Sequence, residues 1–133
     1  MRIAVDIDDC LWELIEDTSP RIKGVGARCA CGMPMKQEVD RNMKALVHSL
    51  IPDHEVFLWS AGGVEYVKDW IGRFAPAWES LVTVIPKEKG HNIDIAIDDQ
   101  VVDLATTLLR IKRPHADHWS EETKTSNSGN IIL

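Results

Sequence analysis

The chain has 133 residues, 44% hydrophobic and 27% charged, the balance of one ordinary globular domain. A net charge of -6 and a pI near 5.3 argue against broad electrostatic binding to nucleic acid or an anionic membrane, though not against a local basic pocket. No apolar run approaches membrane-spanning length and the N-terminus lacks a signal-peptide layout, so a cytoplasmic location without membrane contact is the expectation.

In chain order, "RIAVDI" is a short apolar run with β-branched residues and predicts a buried strand. Residues 13–36 contain Pro20, Gly24, Gly26, Gly32 and Pro34 and read as one long irregular insertion, a flap. From Lys36 to Ile51, Val39, Met43, Leu46, Val47 and Leu50 recur at helical spacing until Pro52 stops the helix. "EVFLW" is a second strand, and Val64, Val67, Ile71 and Phe74 mark the inner face of a second helix ending before Pro76. "LVTVI" and "IDIAI" give a third and a fourth strand. A shorter helix is predicted over Val101 to Leu109, with Leu109 to Ile111 leading into a weak fifth strand. Residues 1–112 thus form the core, and the polar residues 113–133 a tail expected to be partly mobile.

Strands alternating with helices imply right-handed crossovers and a mainly parallel sheet. The strands are continuously apolar, as burial on both faces requires, so the expected fold is a three-layer αβα domain. The three cysteines, Cys10, Cys29 and Cys31, are odd in number and fit reduced thiols. "RCACG" lacks the second ligand pair that a structural zinc site wants, and reads as a loop. The five scattered histidines form no site, and Trp12, Trp59, Trp70 and Trp78 read as core, with Trp12 and Trp59 near enough to strand ends to line a pocket.

In a parallel sheet, ligands bind beyond the carboxyl ends of the strands. There the first strand delivers Asp6 and Asp8, and the second Ser60 followed by Ala61, Gly62 and Gly63. Lys87 and Lys89 follow the third strand; the fourth delivers Asp98 and Asp99, with Asp103 beyond. Carboxylates from two strands can share a hard cation such as Mg²⁺. A strand-end hydroxyl and glycines leading into a helix supply donors for phosphate oxygens, and a lysine adds positive charge where a transferring phosphoryl group is most negative. The set points to phosphoryl transfer.

The order and spacing of these residues resemble the haloacid dehalogenase (HAD) superfamily of phosphohydrolases. "IAVDIDDC" is similar to its Asp-x-Asp-x-Thr/Val motif, "VFLWS" to its strand ending in Ser or Thr, and "IAIDDQVVD" to its acid-ended last motif, over about residues 2 to 112. The resemblance implies a HAD-like, Rossmann-like fold and an aspartyl-phosphate on Asp6, with Asp8 as general acid and base. It further implies Mg²⁺ held by Asp6, the Asp8 carbonyl and an acid from Asp98/Asp99, and a phosphate oriented by Ser60, Ala61 and a lysine. Asp9 stands where Gly is commoner, and Cys10 where Thr or Val is usual. The stretch before the final acids resembles the family's Lys-Pro pattern in a way that slightly favours Lys89, while Lys87 lies closer to the preceding strand, so both lysines stand as candidates.

The segments between motifs are too short for a folded cap, so a capless phosphatase is expected, its open site shielded by the flap, by a partner subunit (a homodimer) or by a large substrate. The substrate would be a phosphorylated small molecule or a macromolecular phosphate end. The other reading is a non-catalytic HAD-like module that binds phosphate or a partner. A phospho-accepting receiver domain is disfavoured because there the lysine comes last.

Overall fold

The computed structural model describes residues 1–16, 27–28, 34–113 and 130–132. The first strand, β1 (Arg2–Asp6), is followed by β2 (Trp12–Glu16), β3 (Ala27–Arg28) and β4 (Pro34–Val39), then by helix α1 (Arg41–Leu50). Next come β5 (Glu55–Trp59), α2 (Val64–Phe74), a 3-10 turn over Pro76–Trp78, and β6 (Thr83–Val84). β7 (Ile93–Asp98), β8 (Ala105–Arg110) and β9 (Asn130–Ile132) complete the order. Six of these strands form one sheet in the order β6-β5-β1-β7-β8-β9. Every pairing in it is parallel, with Ile3 opposite Val56 on one side and Ile95 on the other. The architecture is therefore mixed α/β on a parallel sheet.

The order reverses at β1. The chain steps outward through β5 to β6, then returns to the other side of β1 for β7 and β8. Right-handed crossovers in opposite directions lie on opposite faces of a sheet. The core divides accordingly. Met43, Val47, Val67, Trp70 and Ile71 of the two helices pack on Ile3, Val5, Val56 and Leu58. The opposite face carries Ala4, Phe57, Trp59 and Ala96, against which Ile85, Val102 and Leu104 pack.

That second face corrects the helix expected over Val101 to Leu109, because β8 occupies Ala105–Arg110. Ala105 pairs with Ile93, so residues 99–104 must run back the length of β7, roughly 17 Å at about 3.3 Å per residue. Six residues supply about 9 Å as a helix but about 20 Å when extended. The connection is therefore a strap, with Val102 and Leu104 pressed onto the face that a helix would otherwise cover.

Four smaller expectations change. The helix predicted from Lys36 begins at Arg41, because residues 36–39 pair antiparallel with β2 and the Asp40 side chain caps the helix by accepting from Met43 N–H at 3.0 Å. Leu46, expected on the inner face, is exposed. The third strand shrinks to two residues, because Leu81 and Val82 N–H close a turn onto the Trp78 carbonyl. Finally, the 13–36 insertion and the tail both contribute strands: β2, β4 and β3 form an antiparallel sheet in that order, and β9 extends the main sheet beside β8. Residues 17–26, 29–33 and 114–129, with Cys29, Cys31, His115 and His118 and the expected mobility of the tail, lie outside the described residues.

Candidate functional site

The carboxyl ends of β1 and β7 flank the reversal, and each ends in an aspartate, Asp6 and Asp98. Their alternation with Val5 and Ile97, which pack into the helix-covered core, turns both carboxylates the other way. A pocket of about 200 Å³ at this edge is lined by Asp6, Asp8, Asp9, Ser60, Ala61, Lys87, Asp99 and Gln100. Six of the eight residues predicted for the site thus meet in one cavity. Asp98 lies beneath it, 0% exposed, beside Asp6 at 5%, Asp99 at 4% and Ser60 at 3%.

Lys87 holds this cluster together. Its Nζ lies 2.7 Å from Asp98 Oδ2 and 3.3 Å from Asp6 Oδ1, with the side chain only 12% exposed. The contact to Asp98 Oδ2 is a close ion pair, although that oxygen receives no well-aligned hydrogen bond. Asp98 Oδ1 accepts from Gln100 N–H at 2.9 Å, and Asp99 Oδ2 from Gln100 Nε2 at 2.9 Å. Lys89, which the sequence resemblance favoured, is instead at the protein surface, 73% exposed and paired with Asp103 at 3.3 Å. The structure brings Lys87 to the site and leaves Lys89 and Asp103 outside it.

Three carboxylates against one ammonium leave two negative charges in a nearly dry site. Burial, then Asp98, pushes Asp6 from its ordinary 3.8 up to about 8, with Lys87 opposing. Burial likewise raises Asp98 to about 6, against Lys87, and raises Asp99. Burial alone would lower Lys87, but Asp98 and Asp6 more than offset it and raise its pKa. Asp6, Cys10 and Asp99 each place a ligand atom within 4.8 Å of the others, a group compact enough to hold a metal ion. Cys10 is its weak member. Burial, then Asp6, pushes the thiol well above its ordinary value, and Sγ donates to the Ile97 carbonyl at 3.6 Å. The hard donors are the carboxylates.

Asp8 sits at the mouth of the pocket, exposed, with Oδ1 accepting from Tyr66 O–H at 2.5 Å and from Trp12 Nε1 at 3.0 Å. Burial, then Asp8, raises Tyr66 so that it stays a donor at neutral pH. Tyr66 was missed in the sequence; its position in the first turn of a helix that starts at the site edge was the available signal. Neither tryptophan lines the pocket: Trp12 packs on the helix-covered core and against Phe74, reaching the site only through its Nε1 bond to Asp8, and Trp59 is fully buried.

The turn after β1 is tight: Cys10, Leu11 and Trp12 N–H all approach the Ile7 carbonyl, at 3.2, 3.0 and 3.4 Å. It places Asp9 at φ 59, the left-handed region, which explains why glycine is commoner there in the family it resembles and why Asp, tolerant of that region, can stand in. Ser60 Oγ accepts from Gly62 N–H at 3.0 Å. A Cβ at Gly62 would meet the Tyr66 ring at 3.0 Å, so a side chain there would require that ring to shift by a few tenths of an ångström. The N-cap of α2 is Gly63 at φ 99 with no side-chain cap, so the first N–H groups of that helix are left to other acceptors. The acids that follow β1 replace the glycine fingerprint by which a dinucleotide fold admits a pyrophosphate at this point.

No protein-family model, no curated protein and no solved structure matches the chain. No helix among the described residues is long and apolar enough to cross a membrane.

Proposed function

We propose that this chain is a Mg²⁺-dependent phosphomonoester hydrolase of the HAD-like, capless kind, with a Rossmann-like core in which the straps 85–92 and 99–104 take the place of one helical layer. The observation that carries the reading is the pocket at the strand-order reversal, where Asp6, Asp8, Ser60, Lys87 and Asp99 meet above Asp98. Asp6, the Asp8 carbonyl and the Asp98/Asp99 pair would hold Mg²⁺, whose two charges match the two left uncompensated around Lys87. When bound, the ion supplies positive charge to the phosphoryl oxygens and keeps the buried carboxylates ionised.

An Asp6 carboxylate oxygen attacks phosphorus, the ester P–O bond breaks, and Asp8 gives its proton to the departing oxygen. Both donors on Asp8 sit on Oδ1, which leaves Oδ2 as the oxygen that carries the proton. Asp8 then takes a proton from water as the water oxygen bonds phosphorus and the Asp6–phosphorus bond breaks, which restores both acids and releases phosphate. Ser60, the Ala61 backbone and Lys87 orient the phosphoryl oxygens. A module that only binds phosphate has no need of a second carboxylate aimed by two donors at the pocket mouth, and Asp8 thereby favours catalysis. The substrate is a phosphorylated small molecule or a macromolecular phosphate end, with water excluded by residues 13–36, by a second copy of the chain or by the substrate itself.

Turnover of p-nitrophenyl phosphate, with and without EDTA, tests this. EDTA should abolish turnover, and Asp6→Asn should reduce it by roughly 10³-fold or more. Undiminished turnover in Asp6→Asn removes the nucleophile.

A further inference from the structure

Arg113 lies three residues beyond β8, yet its side chain is only 12% exposed and makes four contacts to the segments that build the site. Nε donates to the Asp9 carbonyl at 2.8 Å and Nη2 to the Cys10 carbonyl at 2.5 Å. Nη1 reaches Asp40 Oδ2 at 2.7 Å and Glu13 Oε2 at 3.2 Å. One guanidinium therefore ties the turn after β1 to β2 and to the cap of α1. Only arginine offers donors in a rigid planar fork that can serve two carbonyls and two carboxylates together.

The two carbonyls it grips belong to the residues directly after Asp8. That turn carries a left-handed Asp9, and Asp8 itself is exposed, so its carboxylate has little packing to hold it. With both carbonyls fixed on Arg113, the Asp9–Cys10 and Cys10–Leu11 peptides are pinned, which anchors the chain directly after Asp8 and favours the position in which Tyr66 and Trp12 reach its carboxylate. Arg113 is reached because Ile111 N–H donates to the Asp98 carbonyl at 2.8 Å, which keeps the chain at the carboxyl edge after β8 ends.

We propose that Arg113 is a positioning residue for proton transfer: by clamping the Asp9 and Cys10 carbonyls it holds Asp8 in place to protonate the leaving group. This rests on the hydrolase reading above. Its signature is dependence on the leaving group. p-Nitrophenolate departs with little help from an acid, whereas phenolate needs the proton, so a misplaced Asp8 penalises phenyl phosphate selectively.

The experiment measures kcat/KM for both esters in the unaltered chain, in Arg113→Lys and in Asp40→Asn. Arg113→Lys keeps the charge near Asp40 and Glu13 but loses the fork. It should lower kcat/KM for phenyl phosphate by roughly 10- to 100-fold and for p-nitrophenyl phosphate by less than about threefold. Asp40→Asn removes the shorter of the two ion pairs and leaves the Glu13 pair and the carbonyl contacts, so it should lower the melting temperature without changing the ratio between esters. Amide exchange at Cys10, Leu11 and Trp12 should accelerate in Arg113→Lys, relative to the rest of the sheet. An equal loss on both esters, or unchanged exchange at those amides, overturns the proposal while leaving the hydrolase reading intact. No turnover in the unaltered chain overturns both.

Discussion

Titrating the cation-free chain upward in pH probes the site's electrostatics directly. Asp6 ionises at about 8 in the fold and at an ordinary 3.8 when unfolded; Asp98 ionises at about 6, with burial the leading cause for each. Between those limits the native state binds more protons than the unfolded chain, so stability falls as pH rises, being fully present below about pH 4. One such group changes the folded-to-unfolded ratio about tenfold per pH unit. Asp99, also raised, contributes in the same direction; Asp98 adds to the slope up to about pH 6, and Asp6 continues it to about pH 8. The two share Lys87 and titrate as a pair, so the total change, not its division between them, is the quantity to test. Urea midpoints measured in EDTA at several pH values should decline over this range, and Asp6→Asn should flatten the upper part of the decline. Because groups outside the cluster are common to both proteins, the difference between the two curves reports Asp6 together with its coupling to Asp98 and Lys87. Mg²⁺ at a hundredfold excess over its Kd should restore about 2.7 kcal/mol. A curve for the unaltered chain parallel to that of Asp6→Asn between about pH 6 and pH 8 would refute the reasoning.

Two further outcomes separate the candidate residues. Lys87→Met should reduce turnover of p-nitrophenyl phosphate by roughly 10²-fold or more, since it removes the cation that lines the pocket among the described residues, whereas Lys89→Met should stay within about twofold, as expected for an exposed ion pair; equal effects would contradict the placement of the two lysines. Tyr66→Phe deletes a single O–H on Asp8 Oδ1 and should lower kcat/KM by roughly tenfold with KM unchanged, as measured by steady-state kinetics, while a change confined to KM would argue that Tyr66 touches substrate rather than Asp8.

Much of the site was legible because strand ends are legible. "IAVDID" and "IAIDD" show where apolar runs give way to acids, and in a parallel sheet both transitions must fall on the same edge. The choice between Lys87 and Lys89 stayed open in the sequence, and what separates them is also topological. The crossover from β6 to β7 runs from the carboxyl edge back to the amino edge, so only its first residues can reach the site. Lys87 is three residues past Val84, while Lys89 is four short of Ile93 and meets Asp103, itself two residues before β8. In the sequence the resemblance leaned slightly to Lys89 and closeness to the strand spoke for Lys87; the fold places Lys87 in the pocket. The strap at 99–104 was hidden because Val101, Val102 and Leu104 are compatible with either a helix or an extended run; the register of β7 on β8 alone excludes the helix. Arg113 was hidden because the residues around it read as tail, and its partners are set by the fold rather than by any local pattern.

The surroundings of Arg113 and Lys87, both largely shielded from solvent, differ in a way that bears on function. Arg113 meets two carboxylates and two carbonyls, a compensated arrangement of the kind that fixes a backbone. Lys87 meets a cluster that it cannot neutralise, with Asp6 and Asp98 both raised and Asp99 beside them. Burying uncompensated carboxylates weakens a fold, and apolar residues of similar size at positions 6 and 98 would serve stability better. Nor does the sheet need the acids for register, which Ile3, Val5 and Ile97 set through the core. A destabilising cluster at the strand-order reversal, in a pocket that also holds the Ser60 hydroxyl, is what the proposed function accounts for: under that proposal the acids are kept to receive a divalent cation and a phosphate.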